Sequence, residues 1–176
     1  MKKLMIAFAI VLFGMSSVKA QDYNGIIKVN PIGFAIGVFN VTYEKPLSET
    51  SSVTIGASYF NWSNLDISGI GADLGYRFYF SNNTTAPEGL FAGPVLSLGS
   101  YSYDYSTYNG EGDYTTEKQS VFSIGGGVKA GYQWVWDSGV ALDLYFGYGY
   151  RAAKFDNYDY SGGYPILGLA IGYALQ

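Results

Sequence analysis

Neither cysteine nor histidine occurs anywhere in the 176 residues. The first absence excludes disulfides and thiol chemistry; the second removes the commonest general base, proton shuttle and metal ligand together. Beyond the first twenty residues there is no apolar run long enough to cross ~30 Å of hydrocarbon as a helix. Only 14% of residues are charged, and the acidic ones outnumber the basic by 14 to 10. That balance argues against nucleic acid as a partner.

The chain opens with Met1-Lys2-Lys3, an apolar run from Leu4 to Phe13, and Val18 and Ala20 at small-residue cleavage positions. This is the pattern of a secretory signal peptide over residues 1–20, cut between Ala20 and Gln21. Its removal takes three lysines with it and leaves seven basic against fourteen acidic residues, a charge of −7. Residues 21–176 are expected to form one domain.

What is abundant is glycine (24), tyrosine (18) and phenylalanine (11), a mixture that favours aromatic β-strands. Eight alternating runs can be drawn, near 25–34, 37–46, 51–62, 68–81, 88–103, 117–134, 139–152 and 164–175. In the fourth, Leu74, Tyr76, Phe78 and Phe80 share one face while Asp73, Gly75, Arg77 and Tyr79 share the other. A bulky apolar face opposite one of glycine and paired charges suits a narrow polar interior with lipid outside. The expected fold is all-β: an eight-stranded antiparallel up-and-down transmembrane β-barrel, in a bacterial outer membrane. With the N-terminus in the periplasm, the turns near 46–50, 82–87 and 136–139 face the periplasm. A tight turn at 35–37 and longer connections at 61–67, 103–118 and 153–164 face outward. Tyr43, Phe78, Phe80, Tyr132, Trp134 and Tyr173 then mark one interfacial girdle, and Tyr59, Tyr148 and Tyr150 the other.

Seven charges fall inside the runs, all with inward parity: Lys28, Glu44, Asp73, Arg77, Lys129, Asp143 and Arg151. An eight-stranded interior is only wide enough for side chains, and an ionised group there must be paired. Lys28, Glu44, Arg77, Lys129 and Asp143 lie towards the periplasmic half, so they are expected to neutralise one another and fill the lumen. The alternative is a small gated channel or porin through the same cluster, with Arg77 and Lys129 setting selectivity. A lipid-modifying enzyme is a third possibility and fits worse. Asp73, Asp143 and Glu44 are acids, but no histidine activates Ser58, Ser97 or Ser123, and no nucleophile elbow is present. No catalytic residue, cofactor or metal site is assigned. Tyr103, Tyr105, Tyr108 and Tyr114 in one connection, and Tyr158 and Tyr160 in another, are mixed with Ser, Asn, Gly and Asp. Such mixtures make adaptable recognition surfaces for an extracellular ligand, or else prolong the hairpins above the membrane.

Lys28-Val-Asn-Pro31-Ile-Gly, Tyr43-Glu44, Gly75-Tyr-Arg-Phe-Tyr-Phe80, Ala86-Pro-Glu-Gly-Leu90 and Gly93-Pro94 occur in that order. Together they resemble the small secreted Bacteroidota barrels of a domain-of-unknown-function family, similar in architecture to eight-stranded outer-membrane proteins. The resemblance covers the mature chain up to about Gly99. It implies a barrel in contact with outer-membrane lipid and supplies no catalytic residues; a monomer is expected. The final Gln176 departs from the aromatic ending usual in such barrels.

Overall fold

A computed structural model describes residues 23–62, 64, 66–80, 84–108, 114–154 and 159–175. The expected signal peptide and its cleavage point lie outside these residues. Eight strands follow one another: β1 (Gly25–Val29), β2 (Val38–Ser48), β3 (Ser51–Trp62), β4 (Ile67–Tyr79), β5 (Gly89–Tyr108), β6 (Tyr114–Val135), β7 (Val140–Lys154) and β8 (Asp159–Leu175). Each pairs antiparallel with the next and β8 pairs with β1, closing the barrel. No helix of the described residues is long and apolar enough to cross a membrane.

The two-residue period decides which way each side chain points. Outward lie Ile55, Phe122, Val128, Phe146 and Leu167, all exposed, the last 79% so. Inward lie Ser52, Val95, Ser123, Gln133 and Ala141, all buried. Space inside is made by glycine. A Cβ on Gly131 would sit 2.1 Å from the Leu144 carbonyl oxygen and 2.9 Å from the Phe91 ring. That bare position lets Phe91, 1% exposed, lie across the lumen. At one end Ile26, Val135, Ala141 and Ala174 form a small buried apolar layer.

Three expectations need correction. The first strand ends at Val29 instead of running to residue 34, and Pro31–Ala35 form a short helix, α1. Asn30 caps it, its Oδ1 accepting from the Gly33 N–H at 2.9 Å, and Pro31 stands at the first helical turn, where its fixed φ and missing N–H cost nothing. The connection placed at 103–118 is largely ladder: β5 and β6 stay in register from Gly89↔Gln133 to Tyr108↔Tyr114. Likewise β8 begins at Asp159, with Ala153 opposite Tyr160. Tyr101, Tyr103 and Tyr105 in one hairpin and Tyr148 and Tyr150 in the other fall at alternate positions, which is strand periodicity.

Candidate functional site

Seven of the eight strands send a side chain to one level of the lumen. Lys28 comes from β1, Glu44 from β2, Ser52 from β3, Arg77 and Tyr79 from β4, Phe91 from β5, Gln133 from β6 and Asp143 from β7. The Lys28 ammonium donates to Glu44 Oε2 at 2.5 Å, Gln133 Oε1 at 2.7 Å and Asp143 Oδ2 at 2.8 Å, using all three of its protons. Arg77 donates from Nη1 to Glu44 Oε2 and Gln133 Oε1, each at 3.2 Å, and from Nη2 to Asp143 Oδ2 at 2.8 Å. Its guanidinium also lies 3.9 Å from the centre of the Phe91 ring. Glu44 Oε1 accepts from the Ser52 hydroxyl and, at 2.5 Å, from Tyr79. Gln133 Nε2 donates to the Pro87 carbonyl at 2.5 Å.

Two cations and two carboxylates thus cancel, with every one of Lys28, Glu44, Gln133 and Asp143 at most 1% exposed. Taking such charges out of water costs several kcal/mol each, and only dense pairing offsets it. Here the pairing is dense but for one atom: Asp143 Oδ1 is buried without a hydrogen-bond partner. Asp143 is among the residues that line a cavity of about 60 Å³, with Thr42, Thr54, Asp73 and Lys129, which is room for a few water molecules.

The seven charges foreseen inside the barrel are all there, but they do not form one cluster. Lys129, expected within it, has no carboxylate within 4.0 Å among the described residues; its ammonium lies 5.2 Å from the centre of the Tyr145 ring. Asp73 accepts from Ser97 Oγ at 2.5 Å. Arg151 donates to the Tyr101 hydroxyl and lies 5.0 Å from the Tyr164 ring centre, its Nε buried without a partner. Above Asp73 the lumen opens into a vestibule of about 420 Å³, walled in part by Phe60, Trp62, Tyr101, Ser58 and Arg151. Phe60 contacts both Trp62 and Tyr101, ring centres 5.0 and 5.6 Å apart. Of the tyrosines named for recognition, Tyr103 donates to Gln119 Oε1 at 2.7 Å, and Tyr160 is exposed on β8. Tyr105, Tyr108 and Tyr114 occupy rungs of the β5–β6 ladder, their side chains outside the described set, and Tyr158 lies outside the described residues altogether.

The sequence pattern did not single out Ser52, Tyr79, Phe91 or Gln133 as parts of the charged level. For Ser52, Tyr79 and Gln133 the inward parity was legible; which inward residues share a height depends on the stagger between strands. No group of three or more acidic residues positioned to hold a metal ion occurs among the described residues.

A closed eight-stranded barrel with an apolar outer wall and an ion-paired plug is the class these features define. The chain belongs to the family described as a protein of unknown function (DUF3575), whose model matches residues 6–173. Among solved structures, the N-terminal β-barrel domain of OprF from Pseudomonas aeruginosa is similar at 14% identity, covering 88% of this chain and 100% of that one, with a TM-score of 0.34. No curated protein is significantly similar in sequence.

Proposed function

We propose that this chain is an integral outer-membrane β-barrel, delivered across the inner membrane by the leader at 1–20, with its lumen closed and its outward end serving a structural or surface-recognition role without catalysis. The observation that carries the reading is the neutral Lys28–Glu44–Arg77–Asp143 tetrad, hydrogen-bonded from wall to wall and buried. An ion crossing this level must break several charge-assisted bonds at once, which a low-dielectric site makes costly. The exposed aliphatic wall supports lipid as its surroundings, since a soluble monomer rarely shows contiguous apolar surface of this extent. The aromatic vestibule of about 420 Å³ has the size and lining of a small-ligand site.

Planar-bilayer recording tests the closed lumen. Wild-type protein is expected to give no conductance steps; steps that change on Arg77→Ala would establish the channel instead. The channel reading has one observation in its favour: Lys129, with no carboxylate within 4.0 Å among the described residues, lines the small polar cavity beside the plug. Purified protein in detergent is expected to migrate differently on gels before and after boiling. A detergent-independent, water-soluble monomer would overturn the membrane reading.

A further inference from the structure

The barrel wall is not equally complete all round. β1 pairs with β8 only from Gly25↔Leu175 to Val29↔Ile171, and with β2 only as far as Val29↔Val41. β8 continues to Asp159 and β2 to Val38, each paired on its far side alone. The hydrogen-bonded wall is therefore interrupted above Val29, a slit in the ladder between Val38–Asn40 on one lip and Ala170 upward on the other. The helix α1 packs against both lips, β2 and β8, but no backbone hydrogen bond joins it to β8 among the described residues.

Depth makes this slit consequential, on the reading that the barrel spans a membrane. A strand tilted by ~40° climbs about 2.5 Å per residue, so roughly ten residues cross a belt ~25 Å tall. Ten residues up from Leu175 is Pro165, and the register sets Pro165 opposite Tyr148, one of the outer-rim aromatics. The unpaired edge from Ala170 to Pro165 thus lies within the belt, where free N–H and C=O groups facing lipid are not tolerated unless something satisfies them. The two most exposed large apolar side chains of the described residues flank it: Leu167 on β8, 79%, and Phe34 on α1, 71%. Asn40, Thr42 and Ala170 belong to the lining of the 60 Å³ cavity, as do Lys129 and Asp143, whose Oδ1 is unpartnered.

We propose that the slit is a lateral portal that seats a single-chain amphiphile with a hydroxyl-bearing head, taken from the surrounding bilayer. A hydroxyl donates and accepts at once, so it can give a proton to Asp143 Oδ1 and accept one from Lys129. An ionised carboxylate or phosphate head has no proton to donate to Asp143 Oδ1, and the cavity admits no bulky head. Further hydroxyls satisfy the bare β8 edge, and the alkyl chain runs out between Leu167 and Phe34.

Trp62 is a built-in reporter, since its Nε1 donates to the Ile36 carbonyl at the end of α1 at 2.8 Å. With Trp134 and Trp136 changed to Phe, the refolded protein in phosphatidylcholine vesicles is titrated with a monoacylglycerol carrying a dibrominated chain, and Trp62 fluorescence is followed. Saturable quenching at one probe per chain is expected, beyond that given by a dibrominated two-chain phosphatidylcholine. Ala170→Phe, which fills the cavity from one lip, and Asn40→Leu, which makes the other lip apolar, should each weaken it by roughly tenfold. If the first variant fails to fold, the second decides. Protein that floats with the vesicles but shows equal, non-saturating quenching by both lipids overturns the portal and leaves the membrane reading intact. A dimer in detergent that buries the β8 edge, or a failure of Ala170→Phe and Asn40→Leu to alter binding, also overturns it. Protein that does not float overturns both readings.

Discussion

Lys28 meets two carboxylates and an amide through one ammonium, the same three partners that Arg77 reaches with its guanidinium. Lys28→Ala leaves Glu44 and Asp143 buried with only Arg77 between them, and should cost about 3–5 kcal/mol of stability, read from urea unfolding of the refolded protein in vesicles. Replacing Lys28, Glu44, Arg77 and Asp143 together by apolar residues of similar volume should cost far less, because no charge is then stranded. Glu88, in the turn before β5, makes a different test. Burial, and then the Asp137 charge, hold its carboxyl above the usual carboxylate range. A proton bound more tightly by the folded state stabilises it, so this contribution is present below the unfolded value of about 4.3 and is lost as pH rises through the folded one. Glu88→Gln should therefore flatten the stability profile across that window, with its gain over wild type appearing at neutral pH. Inward parity made Lys28, Glu44, Arg77 and Asp143 legible as lumen residues in the sequence. Their shared half of the barrel made their mutual pairing an expectation too; the exclusion of Lys129 was not legible, because side-chain reach and strand stagger set it.

At the scale of elements, β3 is the clearest agreement: a run at 51–62 flanked by turn residues is Ser51–Trp62 in the structure. β1 is the clearest departure. Ile26 to Val29 alternates properly, yet Asn30-Pro31 ends it, a cap followed by a residue that can begin a helix but cannot donate to a ladder. Asn30→Ala should cost about 1 kcal/mol of local helix stability and shift Trp62 emission, while far-ultraviolet circular dichroism of the barrel stays unchanged. The long hairpins were underestimated for a related reason. Tyr, Ser and Asp between residues 101 and 108 have loop composition but strand period, and pairing with β6 decides in favour of the period. Gly131→Ala should impair folding strongly, seen as loss of the heat-modifiable gel band, since its Cβ would strike the Leu144 carbonyl across the ladder.

For the whole molecule, eight alternating runs and a one-sided distribution of charge were enough to foresee a closed antiparallel barrel, because a two-residue period ties each residue's face to its place in the chain. That information is local, and the sequence carries it completely: which residues point in, which point out, and that the inside is polar. Three things only the closed structure decided. One is the height at which inward residues meet, which put Gln133 and Tyr79 beside the ion pairs. Another is the space left by glycines, which admitted Phe91. The last is the unequal length of neighbouring strands, which left β8 without a partner on its β1 side above Ile171. Each depends on the stagger between strands distant in sequence, a property of the ring that no single strand's pattern encodes.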